Sequence, residues 1–309
     1  MQAMKKNPLQ RVQRQLRRNW QLYVLLIPVI AYFIIFKYWP MYGVQISFRQ
    51  FMAVKGIWGS PWVGLKNFER FFSSYYFERL IRNTLSVSIS SLLFSFPMPI
   101  LLALMINELR GTRYKKTIQM VTYAPHFLSI TVVVGMINLI CATQTGLINQ
   151  MRVKMGYDTI PFLTAPQYFL PLYIISDVWQ QTGWNSVIYI AAIAGVDYSL
   201  YEAAYLDGAG MLKRIWHVTL PCIAPTIIIM LILKTGNVMD VGFEKVWLMQ
   251  NGLNREASDV ISTYTYRAGL LNADYSYSAA VGLFNSVINF IILMVVNKIS
   301  RTVSEVGLW

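Results

Sequence analysis

The residues able to do chemistry in this sequence are amides, carboxylates and aromatic rings set among apolar neighbours. Asp177, Trp179, Gln180, Gln181, Trp184, Asn185 and Tyr189 interrupt one apolar stretch. Asn237, Asp240 and Phe243 follow a second, and Asn285 and Asn289 stand four apart in a third. Amides and carboxylates bind hydroxyl groups, and aromatic faces stack on the apolar side of a pyranose ring, so the pattern suits a carbohydrate. At about 100° per residue, Asp177, Gln180 and Trp184 fall within about 60° of one another on a helix, while Asn185 turns elsewhere. These three are expected to line a polar path, with Asn237, Asp240 and Asn285 facing them. A charged group inside an apolar span is costly and marks function, which puts Asp177 first. The competing use of such groups is hydrogen bonding between helices or to a sister subunit.

Catalytic chemistry is missing. His126 and His217 are the only histidines, too few for a histidine-based metal cluster. There is no G-x-x-x-x-G-K-[ST] to cradle a nucleotide, no G-x-S-x-G and no H-E-x-x-H. Cys141 and Cys222 sit in or beside apolar stretches, so neither a disulfide nor a metal site is expected. An ion channel would need a charged filter ring, and none is seen. The chain is expected not to be an enzyme and to hold no cofactor.

What must position those polar residues is a set of membrane helices. Of the 309 residues, 55% are hydrophobic and 13% charged, where soluble domains carry about 25% charged residues. Mean hydropathy is +0.43. A spanning helix needs about 20 mostly apolar residues. Six stretches qualify, near 22–39, 84–107, 118–142, 168–194, 218–236 and 276–297. The first is too long and aromatic for a signal peptide and is read as retained. Pro28, Pro97, Pro99, Pro125, Pro171 and Pro225 lie in these stretches and are expected to kink them. The loop 40–82 is expected to fold at the interface, with a short amphipathic piece around 67–77.

Six spans put both termini on one side. The net charge of +13 then bears on topology, with lipid as the partner and not nucleic acid. With the termini in the cytoplasm, basic residues are about twofold denser in the inner segments than in the outer ones. The chain divides into a basic cytoplasmic tail, 1–21, and one six-helix domain, 22–309.

Between the fourth and fifth spans lies a patterned segment, about 197–217. Ser199 and Glu202 fit a capping box, in which the serine caps a helix and the glutamate reaches back. Tyr201, Ala204 and Tyr205 share one helix face, and Gly208 stands where a glycine would end it. A second short helix is expected over 211–217, with Pro221 in the opening turn of the next span. The result is an elbow of small residues on the inner membrane face.

Glu202-Ala203-Ala204, then Asp207-Gly208-Ala209, then Leu220-Pro221 resembles the EAA motif of binding-protein-dependent ABC importer permeases. The resemblance extends to the opening NWQLYVLLIPVIAYFIIFKYWPMYGVQISF, to VGLKNFERFF, to RNTL and to the closing GLW. It is nearest to the LplB-like group, which takes up polysaccharides or complex oligosaccharides. It implies an all-α membrane protein with six transmembrane helices, the type I ABC importer permease fold, in a bacterial cell membrane. It implies a homologous second permease, two ATPase subunits that bind ATP and Mg, and an extracellular solute-binding protein that delivers the oligosaccharide. Glu202, Ala203, Ala204, Asp207, Gly208 and Ala209 would couple this chain to the ATPase. A different solute, such as a peptide, is the alternative, because the coupling loop faces the ATPase and not the cargo.

Overall fold

The computed structural model describes residues 18–109 and 111–308. Most of the tail expected over 1–21 lies outside them. The described chain is almost wholly helical, and its only extended pairings are the isolated bridges Arg49–Trp62 and Met52–Gly56. In chain order the main helices are α1 (Trp20–Phe48), α2 (Phe77–Glu108), α3 (Thr112–Phe127), α4 (Ile130–Cys141), α5 (Pro166–Ala194), α6 (Tyr198–Leu206), α7 (Met211–Thr235), α8 (Phe243–Met249) and α9 (Tyr275–Ser304). Four of them, α1, α2, α7 and α9, are each long and apolar enough to cross a membrane; the count is six if each of two bent pairs forms one span.

Those bent pairs correct the simplest reading of the hydropathy. The stretch expected as one span over 118–142 is α3 and α4 meeting at 96°. Pro125 lies in a tight 3₁₀ turn, Ala124–Phe127, and the Ser129 hydroxyl caps the new helix by accepting the Val132 N–H at 3.3 Å. The second pair is α5 and α6, at 73°.

Prolines also set the shape of three spans in a way the sequence reading did not foresee. Wide, π-helical turns run over Ile34–Tyr38, Ser91–Ser95 and Ile215–Thr219. Each ends two residues before a proline: Pro40, Pro97 and Pro221. A proline ring clashes with the carbonyl four residues earlier. Those carbonyls belong to Phe36, Leu93 and His217, the middle residue of each wide turn, so widening moves the clashing group aside. Pro221 therefore lies inside a continuous α7 and not in its opening turn. The separate helix expected over 211–217 is the first part of the fifth span.

No residue of Trp20–Phe33 is buried, so the first part of α1 stands clear of the rest. Its end, Tyr42–Phe48, packs on α9. The following loop is pinned by aromatics: Arg49 lies over the rings of both Trp58 and Trp62, at 5.5 and 5.6 Å. The amphipathic piece of this loop is the helix Lys66–Phe72.

Three apolar clusters hold the bundle. One joins Phe71 and Leu80, near the start of α2, to Tyr277 and Val281, near the start of α9. A second joins Val87 to Tyr173, Val246 and Val260. The third joins Ala103 and Leu104, near the end of α2, to Tyr189 and Ile193 of α5 and Ile223 of α7. The helix α2 thus runs from the α9 end of the molecule to the elbow end. Helix α5 crosses α3 at Gly183, where any Cβ would collide with the Thr122 backbone.

Candidate functional site

A cavity of about 570 Å³ opens between α2, α5 and the end of α7. Helix α5 supplies Tyr173, Asp177, Gln181, Asn185 and Tyr189, every fourth residue, together with Gln180. A step of four residues overshoots one turn by about 40°, so this wall winds around α5 along a single side-chain ridge. Helix α2 supplies Ser88, Ser91 and Ser95, two of them in its wide turn. Lys234, Asn237, Asp240 and Lys245 close the far side.

Four of the residues expected to line a path come together here: Asp177, Gln180, Asn237 and Asp240. Trp184 and Asn285 do not. The expectation assumed a straight stripe, which favours Trp184 over Asn185; a wall that follows the ridge reverses the two. Asn185 lines the cavity, and Trp184 stacks flat on His126, with ring centroids 4.7 Å apart and planes 2° apart. His126 Nδ1 lies 2.9 Å from Gln181 Oε1. Gln180 is buried and donates to the Leu128 carbonyl at 3.0 Å. Gln180, Gln181 and Trp184 thereby brace the bend between α3 and α4 against α5. Asn285 lies off the cavity wall, and its Oδ1 is buried without a hydrogen-bond partner. Asn289 accepts the Met239 N–H at 2.8 Å, fixing the chain that leaves α7 onto α9.

The sequence reading missed Lys245. Its side chain is 5% exposed, and its Nζ donates to the Tyr173 carbonyl at 3.2 Å. The same Nζ lies over the Tyr173 ring at 4.7 Å and 3.8 Å from Asp177 Oδ1. A buried charge needs such partners. The signal was a lone lysine inside the apolar run FEKVWLM.

The elbow is built differently. Asp197, not Ser199, caps α6: its carboxylate accepts the Ser199 N–H at 2.9 Å, and that bond holds its carboxyl below the usual range. The extended backbone at Asp197 places the cap two residues earlier than expected and leaves Glu202 exposed instead of folded back. At the other end, Gly208 takes φ +74°. The Ala209 N–H bonds to the Ala204 carbonyl at 2.9 Å and the Gly208 N–H to the Tyr205 carbonyl at 3.0 Å, a paired closure that needs a left-handed residue. Ala203, Asp207 and Gly208 are exposed, with Ala204 and Ala209 half-buried. A Cβ at Gly208 would meet nothing within 4 Å. Tyr205, Leu206 and Leu212 are 71%, 84% and 71% exposed. The elbow is tied to the bundle by Tyr201 and Thr219, whose hydroxyls lie 3.0 Å apart. Arg214 adds an ion pair to Glu108, at 3.8 Å, at the end of α2.

Residues 71–305 match the model of the binding-protein-dependent transport system inner membrane component family. The chain belongs to that family. It is a membrane-embedded transport subunit and not an enzyme. It is 45% identical to Protein LplB of Bacillus subtilis (strain 168) over 294 residues, which cover 95% of this chain and 92% of that one. It is 42% identical to the polygalacturonan/rhamnogalacturonan transport system permease protein YteP of the same organism, covering 99% and 95% of the two chains. A chain of the bacterial alginate ABC transporter, crystallised with an alginate pentasaccharide-bound periplasmic protein, superposes with a TM-score of 0.89 at 42% identity, covering 96% of this chain and all of that one.

Proposed function

We propose that this chain pairs with a homologous second permease to form the path by which an ATP-driven importer moves a complex oligosaccharide. A solute-binding protein delivers the sugar outside, and two ATPase subunits bind ATP and Mg inside. The observation that carries the reading is that α5, the helix that walls the cavity, also leads into the elbow. Its ridge from Tyr173 to Tyr189 walls a cavity rich in hydroxyl-binding groups, and it runs directly into the uncovered elbow. Docking of an ATPase on Glu202, Ala203, Ala204, Asp207, Gly208 and Ala209 would tilt α6, and α5 would carry that tilt to Asp177, Gln180, Gln181 and Asn185. Relatives that share over 40% identity along nearly the whole chain and are named for rhamnogalacturonan or alginate transport support a sugar cargo. In this reading the elbow faces the cytoplasm, and the start of α2 and of α9 faces outward.

The test is uptake by proteoliposomes holding both permeases and the ATPases, with the binding protein outside. Oligosaccharide uptake that needs ATP inside supports the reading, and uptake independent of ATP overturns it. Topology is checked separately: a cysteine at Lys213 should resist an impermeant thiol reagent on intact cells, and its labelling from outside would reverse the orientation.

A further inference from the structure

A second concavity lies at the opposite end of the molecule from the elbow, where α2 and α9 begin. It has a volume of about 520 Å³, and four arginines line it: Arg70, Arg79, Arg255 and Arg267. Only two carboxylates stand among them. Asp259 is enclosed, with a side chain 1% exposed, and takes two guanidiniums at once. Arg267 reaches it at 2.7 and 2.9 Å and Arg79 at 3.2 Å. Asp274 pairs with Arg70 at 2.7 Å. Arg255 is exposed, and its side chain has no hydrogen bond or ion pair among the described residues. The crevice thus carries four positive charges against two negative ones.

Three of these guanidiniums lie over tyrosine faces. Arg70 lies 4.4 Å from the Tyr277 centroid, Arg79 5.0 Å from Tyr76 and Arg267 5.8 Å from Tyr264. A guanidinium held over a ring can still donate from its N–H groups, which suits two-point recognition of a carboxylate. The Arg79 Nε is buried with no acceptor at all. Arg267 also donates to Gln250 Oε1 at 3.1 Å, so the charge left open in the recess is that of Arg255, beside the exposed Arg70, and it calls for an anion from outside the chain.

We propose that this crevice binds a carboxylate of an acidic, uronate-bearing oligosaccharide at the outer mouth, ahead of the main cavity. The inference rests on the importer reading above and adds the substrate class. A small acidic sugar is favoured over a protein partner because the site is concave and of small-molecule size. Small-molecule sites run from about 300 to 1,000 Å³, whereas a stable protein contact takes about 800 Å² from each partner.

Arg255 supplies the test, because its side chain makes no hydrogen bond or ion pair among the described residues. Binding of trigalacturonate and of a neutral trisaccharide is measured on the complete permease–ATPase complex in nanodiscs, without binding protein. The wild type should prefer the acidic sugar, and Arg255→Gln should lower the acidic-to-neutral affinity ratio about tenfold, the loss of one charge-assisted contact. Arg255→Lys should restore part of that ratio. An unchanged ratio in Arg255→Gln overturns the inference. So does a variant that binds both sugars like the wild type yet needs more binding protein for half-maximal ATP hydrolysis, which would make the crevice a protein-docking site. A wild type that imports oligosaccharides but treats acidic and neutral ones alike removes this inference and leaves the importer reading standing. One that imports no oligosaccharide removes both.

Discussion

Along the cavity, polar side chains are engaged by their own chain: Gln180 with Leu128, Gln181 with His126, and Asp177 with Lys245. Beyond the end of the same helix, the elbow leaves Tyr205, Leu206 and Leu212 bare and Glu202 exposed. These three cavity groups hold a fixed geometry through bonds made within one chain. In the reading proposed above, the elbow is left open because its partners belong to another molecule. Damage to the first region should therefore register in the isolated permease, and damage to the second only in the assembled transporter.

The largest effect should come from Gly183→Leu. Its side chain would drive α5 off the Thr122 backbone, a collision costing about 3 kcal/mol. The thermal midpoint and monodisperse yield of the detergent-solubilised permease should both collapse. An unaltered melt would mean that α5 is not seated there.

Gly208→Leu comes next and separates the two regions most clearly. A leucine at φ +74° is strained by about 1 to 2 kcal/mol, but nothing lies within 4 Å to obstruct it. The isolated chain should melt almost normally. Substrate-stimulated ATP hydrolysis and transport should fall about tenfold, as for loss of an interface hot spot. Normal transport by this variant would show that the elbow is not the coupling element.

The smallest effects test the ridge along α5. Gln181→Ala removes a cavity hydrogen bond worth about 1 kcal/mol, roughly a fivefold loss of transport. Trp184→Ala removes the stack on His126, costing about 1 kcal/mol of stability, and should cut transport less than Gln181→Ala does. Uptake assays that reverse this order would return the wall to the straight stripe.

The helices were legible because apolar runs of spanning length report themselves by composition alone. Of the elbow, the stop at Gly208 was legible, and that residue takes the conformation expected of it, whereas the cap at Asp197 and the merging of 211–217 into the next span were not. The bend at Leu128 was not, because Pro125 signals a kink without fixing its angle; the angle comes from the Ser129 cap and the packing on α5. Trp184 and Asn285 fall off this cavity for a related reason. A helical wheel assigns faces on a straight rod, but a cavity wall follows whichever ridge the neighbouring helices leave uncovered. Lys245 was hidden because its partners, Tyr173 and Asp177, lie about seventy residues away in sequence and meet it only in the folded chain.

The wide turn before Pro97 also has a bearing on how this sequence can change in length. A π turn holds one residue more than an α turn, so it rotates everything after it by about 100°. With that extra residue present, the contacts of Ala103 and Leu104 with Tyr189 and Ile193 thus depend on the turn staying wide. Deleting Leu93 alone would keep their phase but return Pro97 to its clash with the carbonyl four residues before it, at about 3 kcal/mol. Changing Pro97 to alanine together with that deletion would let the span close as an ordinary helix in the same phase. The paired edit should therefore melt closer to the wild type than the deletion alone, so that a proline and an insertion are gained or lost together at such a point in a membrane helix. If the two variants melt alike, the wide turn is held by its serines around the cavity and not by the proline.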